Sequence, residues 1–363
     1  MPSNSKVIIC AAGGGKTSRI VAQALSEAPS RSLIVTYTRN NEKEIGRRLY
    51  AKVPVIPGHI EVMTWFVFLL RELARPYRRV LHDRRIEGLQ WVEGRSVQFV
   101  PQSKVSAHYF AGGTKVYSDK LAKFICECDR LSNGAVMRRL SQRFDHIFVD
   151  EVQDMAGYDL DVLELMLKAG IRITLVGDHR QATFRTNQAS KHKAFVVINI
   201  VKLFQAWSKA ALIELSYEQE THRCSQAIAD IGDGFFPNEP RTKSNQVEVT
   251  GHDGVFVVPT GMVPGYVQSF SPQILRLDKR TNCQGYAAMN FGESKGLTFD
   301  RVLIFPHGGA KEWLKTGQIG TVEKVLSKMY VGATRARYSL AFVYDGAIGV
   351  TGLTQYKEPG QPQ

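Results

Sequence analysis

Short apolar runs bounded by glycine or polar clusters recur along the chain, and most are too short to be helices. Lys6 to Cys10 (KVIIC) is the first, followed by a glycine cluster and a helical pattern from Thr17 to Leu25. That order predicts buried strand, turn, helix. Ser32 to Thr36 is a second such run, Glu61 to Thr64 a candidate third, and His146 to Val149 and Ile171 to Val176 two more. Strands alternating with helical stretches predict a parallel, doubly wound α/β sheet. Between Leu70 and Leu140 the texture becomes rich in Arg and Lys, with breaks at Gly88, Gly94 and Gly112 and a helical stretch from Asp119 to Leu131. This stretch reads as an insertion. A second strand–helix series starts at Leu212 (LIELSYEQ). It continues through a helix around Ser225 to Ile231, strands at Gly254–Val258 and Arg301–Phe305, a helix near Val322–Met329 and a strand at Ser339–Tyr344. The polar segment after Gly352 is expected to be disordered. No internal repeat is present.

The charge balance narrows the class of partner. Lys and Arg number 47 against 34 Asp and Glu, a net charge of +13, and such a field concentrates polyanions, of which nucleic acid is the commonest. No apolar run reaches the roughly 18 residues of a membrane span, and the first residues lack the succession of a signal peptide, so a cytoplasmic protein without a membrane partner is expected. The five cysteines are odd in number and scattered. Cys126 and Cys128 form C-x-C with no second pair to complete a zinc site, which predicts free, mostly buried thiols.

Two local patterns carry chemistry. A strand, then Ala12-Gly13-Gly14-Gly15-Lys16-Thr17, then a helix, is the architecture of a phosphate-binding loop. Backbone N–H groups of Gly13, Gly14 and Gly15 and the helix start, with Ser18, would face the phosphates of ATP. Lys16 would neutralise the β- and γ-phosphates, and the Thr17 hydroxyl would ligate Mg2+. The pattern's usual first glycine is replaced by Cys10. Asp150-Glu151-Val152-Gln153-Asp154 follows the apolar strand HIFV. In that position Asp150 would hold magnesium and Glu151 would polarise the attacking water. An acidic helix N-cap is the plain alternative, and the phosphate loop upstream decides against it.

From DEVQD onward the sequence resembles superfamily 1 helicases of the UvrD/Rep-like branch, in compact form. Thr36-Tyr37-Thr38-Arg39-Asn40 looks like that family's TFTNK segment, and Thr64 to Phe68 (TWFVF) like its next DNA-contacting motif. Val176-Gly177-Asp178-His179-Arg180-Gln181 matches VGDxxQ, whose Gln senses the γ-phosphate. Thr221-His222-Arg223-Cys224-Ser225 matches the segment with the first arginine finger, Arg223. Ser294 to Asp300 (SKGLTFD) resembles SKGLEFD, and Tyr330 to Ala336 (YVGATRA) resembles YVAxTRA, whose arginine is here Arg335. His222 stands where a tyrosine commonly stacks on the nucleotide base, Thr298 replaces a Glu, and Thr186 stands where a second stacking Trp is frequent.

The resemblance implies two RecA-like P-loop domains with parallel sheets, a small insertion in the first and no large insertion in the second. The first domain is expected over 1–69 and 141–211, its insertion over 70–140, the second domain over 212–352, and a disordered tail over 353–363. It further implies an ATP- and Mg2+-dependent DNA helicase or translocase moving 3′-to-5′ on single-stranded DNA, with RNA as the alternative polymer, and ATP in the cleft between the domains. Lys16, Glu151, Gln181, Arg223 and Arg335 would be catalytic. Gly13 to Ser18, His222 and Gly296 would hold the nucleotide, and Thr17 and Asp150 the metal. Tyr37, Thr38, Thr64, Phe184 and Ser294 would contact the strand. Core packing is the better reading for Trp65. Arg84, Arg85, Arg138 and Arg139 are candidates to hold duplex or a partner. A nucleotide-gated binding subunit of a larger nuclease or defence complex is the alternative function, and either a nuclease subunit or self-association is the expected protein partnership. A small-molecule kinase is excluded, because DEVQD and VGDHRQ have no use there.

Overall fold

The apolar runs of the first half assemble as one parallel sheet. The computed structural model describes residues 4–183, 186–187, 191–195 and 199–357. In the first half they form β1 (Lys6–Cys10), β2 (Ser32–Thr36), β3 (Ile60–Thr64), β4 (Gly88–Gln90), β5 (Phe110–Ala111), β6 (Lys115–Tyr117), β7 (His146–Val149), β8 (Ile173–Gly177) and β9 (Glu214–Glu218). The main sheet runs β3-β2-β7-β8-β1-β9. The ladders among β3, β2, β7, β8 and β1 are parallel, with Thr36 opposite Thr64, Val149 opposite Leu175 and Ile9 opposite Gly177. β2 and β7 are buried at every position, as central strands covered by helices on both faces must be.

The insertion supplies a small sheet in the order β4-β6-β5 and the helices Leu121–Leu131 and Ala135–Arg143. It has no separate core. Ile86, Tyr109, Phe110, Val116 and Phe124 share one hydrophobic cluster with Val35, Ile147 and Leu175 of the main sheet. The helix after β3 passes through a π-helical stretch, Leu69–Ala74, in which buried Glu72 pairs with Arg71 and Arg139. Arg139 therefore spends part of its guanidinium on buried Glu72.

The chain divides into two compact units, residues 1–9 with 16–217 and residues 10–15 with 218–363. Two differences from the sequence expectation follow. The LIELSYEQ run supplies β9, which joins the first sheet beside β1, whereas the sequence pattern opens the second domain with it. A β-like run specifies a strand but not the edge it will pair with, since register partners are remote in sequence. The glycine turn, for its part, groups with the second unit.

The second unit holds β10 (Glu220–Thr221) paired with β11 (Lys243–Ser244), together with β12 (Gly254–Val258), β13 (Gln273–Arg276), β14 (Met289–Asn290), β15 (Phe299–Phe305), β16 (Ala336–Val343) and β17 (Thr354–Gln355). The last six form a sheet in the order β14-β13-β15-β16-β12-β17, and its pairs are parallel. The segment expected to be a disordered tail instead begins with edge strand β17, whose neighbour Tyr356 is buried against Tyr266 and Phe270. One aromatic ring finding a pocket outweighs the polar average of its segment. The predicted helix near Val322–Met329 divides into a 3₁₀ stretch, Ile319–Val325, and an α-helix, Leu326–Ala333. All five cysteines are free and only Cys126 is not fully buried, as expected. Among the described residues no helix is long and apolar enough to cross a membrane.

Gly332 gives a direct packing test. A Cβ there would lie 2.5 and 2.7 Å from two ring carbons of buried Phe291. Alanine in a helix gains about 1 kcal/mol over glycine, but overpacking a closed core costs about 1–3 kcal/mol. Gly332→Ala should therefore lower stability, and urea unfolding should show the transition midpoint shifted downward. Gly332→Ala combined with Phe291→Leu should recover part of the loss.

Candidate functional site

Parallel neighbours deliver their C-terminal ends to one edge of a sheet, which is where open α/β folds place ligands. β7, β8 and β1 are adjacent, so Asp150, Asp178 and the segment that begins Lys16-Thr17 emerge near one another. The Thr17 hydroxyl donates to Asp150 Oδ2 at 2.8 Å, and the Glu151 N–H donates to Asp150 Oδ1 at 3.0 Å. Burial, then the neighbouring Glu151 charge, pushes the Asp150 carboxyl up, while Thr17 and Lys16 oppose the shift. A buried carboxylate held up in this way is a strong acceptor for a cation.

Glu151 adopts the left-handed region, with φ 59°. A side chain there is strained by about 1–3 kcal/mol and persists where its surroundings hold it. Gln153 does so. Its amide nitrogen donates to the Glu151 carboxylate, and its Oε1 accepts from the Asp178 N–H at 3.0 Å. Gly177 must be glycine for this bridge, because a Cβ would sit 2.4 Å from Gln153 Oε1. Burial alone would raise Asp178. Arg180, helped by Lys16 and His179, outweighs it and holds that carboxyl down at about 2. Gln181 donates its amide to Asp178 Oδ2 at 2.8 Å. The first unit thus joins Lys16, Thr17, Asp150, Glu151, Asp178 and Gln181 into one polar network. Ser18 lies beside it and accepts from Arg48.

In the second unit the glycine turn rests on the segment that carries Arg223. The Thr221 hydroxyl donates to Ala12 O at 2.6 Å, and the His222 N–H donates to Gly13 O at 3.1 Å. A Cβ on Gly13, where φ is +77°, would lie 2.6 Å from Arg223 Cβ. The Ala12 N–H donates to the Tyr330 hydroxyl at 3.3 Å. The His222 side chain is exposed. Arg223 Nη1 donates to Thr334 O at 3.1 Å. Arg335 is only 1% exposed, with Nε on Val331 O at 3.0 Å and Nη1 on Leu297 O at 3.2 Å. Leu297 follows Gly296, which needs its glycine at φ +88°.

The residues expected on the strand divide. Tyr37 is half-buried, its ring 6.0 Å from Phe66. Thr38 is exposed and caps helix Arg39–Tyr50 by accepting from the Asn41 N–H at 3.1 Å. Thr64 is buried at the end of β3, and Trp65 is core, as read. Ser294 departs from expectation: it is wholly buried and its hydroxyl donates to Phe291 O at 2.8 Å, so it presents nothing to a strand. Phe184 lies outside the described residues. The motif strings do not assign Gln153 or Tyr330 a holding task, because each also bonds a partner outside its own string, Asp178 for Gln153 and Ala12 for Tyr330.

Each unit is built around parallel strand ladders, and the loop and carboxylate pattern of the first resembles a phosphate- and metal-binding arrangement. Residues 102–196, which include DEVQD and VGDHRQ, match the UvrD/REP helicase N-terminal domain family. No curated protein matches the chain in sequence. Among solved structures it is similar to the Arterivirus nonstructural protein 10 helicase, at 15% identity and a TM-score of 0.47, covering 94% of this chain and 59% of that one. A complex of Arterivirus nonstructural protein 10 with DNA gives 16% and 0.46, covering 94% and 61%. The PRRSV helicase gives 18% and 0.44, covering 94% and 52%. The chain therefore spans less than two thirds of the length of these structures.

Proposed function

We propose that the chain is an ATP-hydrolysing motor that translocates 3′-to-5′ on single-stranded DNA. The observation that carries this reading is the bridge Thr17–Asp150 beside Lys16, with Glu151 fixed in a strained conformation by Gln153. A site that merely binds nucleotide has no need to hold a carboxylate at such a cost, whereas one that must aim a water does. The donor set fits magnesium. One hydroxyl and one carboxylate oxygen leave the remaining positions to phosphate and water, as that ion prefers. Held by Thr17 and Asp150, magnesium would neutralise charge on the β- and γ-phosphates.

Lys16 binds the same phosphates, and Glu151 takes the proton of the attacking water. Gln181, hydrogen-bonded to Asp178, shares with Glu151 the Gln153 bridge, so loss of the γ-phosphate is felt along VGDHRQ. Arg223, packed at Gly13, and Arg335 supply positive charge to the transition state. Thr334 accepts from both, which ties their positions together.

The chain should translocate better than it unwinds. Opening each duplex step costs about 1.4 kcal/mol in stacking, and the insertion shares its core with the first unit instead of forming a separate arm. Displacement of a short 3′-tailed duplex, measured beside ATP turnover over a range of protein concentrations, should be weak at low concentration and rise with self-association or an added partner. Strong displacement by a demonstrated monomer, or preference for a 5′ tail, would contradict it.

A further inference from the structure

β2 and β3 end side by side, with Thr36 paired to Thr64, and an aromatic row starts at that edge. The Tyr37 ring lies 6.0 Å from Phe66, and the Phe66 ring lies 4.7 Å from Trp91 at an interplanar angle of 75°. Phe66 is buried, whereas Trp91 is 63% exposed. The indole is presented by a fastened loop: the Ser118 N–H donates to Gln90 O at 2.9 Å, and the Val92 N–H donates to Ser118 Oγ at 3.1 Å. The other tryptophans, Trp65, Trp207 and Trp313, are 0%, 3% and 4% exposed. This chain buries its indoles, except for the one that ends the row.

We propose that Trp91 is a base-stacking residue, taking an unpaired base of the single strand onto its ring. This rests on the strand-binding reading above and extends it into the insertion, where no motif points. Three observations favour a nucleic-acid base over an apolar protein segment. Helix Arg39–Tyr50, which starts two residues after Tyr37, exposes Arg39 and Lys43, and neither has an ion pair among the described residues. The chain carries +13. A lone indole braced edge-to-face by a buried ring offers one flat surface of the size of a base, not a groove for a helix or strand. Stacking of this kind tolerates any sequence, because every base presents a flat face.

The test titrates the full chain with an oligothymidine, following intrinsic tryptophan fluorescence and, in parallel, anisotropy of the same oligomer carrying a dye. With the other indoles buried, the expected result is quenching that saturates together with the anisotropy and disappears in Trp91→Phe. Trp91→Ala should bind about tenfold more weakly, Trp91→Phe should keep most of the affinity, and Phe99→Ala, at a 98% exposed ring in the same insertion, should change nothing. Thermal melts of each variant separate lost contact from lost fold. Normal anisotropy without quenching, or full affinity in a folded Trp91→Ala, overturns the assignment and leaves strand binding standing. Quenching that depends on protein concentration without oligomer would give the ring to a second copy instead. Absence of any binding by the unaltered chain removes both this proposal and the reading beneath it.

Discussion

Glu151→Gln should abolish hydrolysis while leaving ATP bound. The substitution keeps side-chain size and removes the proton acceptor, a contribution of about 10²- to 10⁴-fold in catalysis. It also removes the charge that helps to push up buried Asp150, so the metal-holding carboxylate ionises more readily and nucleotide affinity should hold or rise. Lys16→Ala is the contrasting case. Lys16 acts electrostatically on both Asp150 and Asp178, and its loss leaves two buried carboxylates with less compensation and the phosphates with less neutralisation. Affinity should then fall along with turnover. Fluorescent-ATP binding and single-turnover phosphate release separate the two patterns. A Glu151→Gln chain that hydrolyses at the normal rate would show that Glu151 is not the base.

Arg223→Ala and Arg335→Ala should each lower strand-stimulated turnover far more than ATP affinity. An arginine on the transferring phosphoryl group contributes about 10³- to 10⁵-fold, and that contribution appears in the transition state, not the ground state. Arg335 carries a second expectation. Its guanidinium is buried on the carbonyls of Val331 and Leu297, so removing it leaves polar backbone groups unsatisfied at about 1–3 kcal/mol. Arg335→Ala should therefore melt earlier, whereas half-exposed Arg223→Ala should not. Arg335→Lys keeps the charge but cannot reproduce the fork of donors, and should restore stability only in part and turnover very little. Equal loss of ATP binding and turnover in both variants would mark the arginines as ordinary phosphate contacts.

What the sequence reveals and conceals divides along local and remote lines. β2, β7 and β8 are legible because a central parallel strand is an unbroken apolar run. Gly13 is legible as part of a glycine cluster, but the reason it cannot be alanine, the approach of Arg223, lies about two hundred positions along the chain. β9 reads as a strand and not as a member of the first sheet. The tail reads as polar because composition averages over a single decisive Tyr356. Among the candidate site residues, Lys16, Thr17, Asp150 and Glu151 sit in strings whose spacing implies their chemistry. Gln153 lies inside such a string, yet its bridge between Glu151 and Asp178 exists only once β7 and β8 lie side by side. Trp91 lies in no motif at all, and only its exposure beside Phe66 singles it out.

Coupling of nucleotide hydrolysis to a single strand is read from steady-state ATP turnover of the full chain with no polymer, with single-stranded DNA, with single-stranded RNA and with blunt duplex DNA, each at low and high salt. The expected result is a low basal rate, a large rise with single-stranded DNA that shrinks as salt releases the basic surface from phosphate, and little effect of blunt duplex. A rate that is the same in all four conditions, in a chain whose Glu151→Gln variant is inactive, would leave an ATPase that is not a motor on nucleic acid.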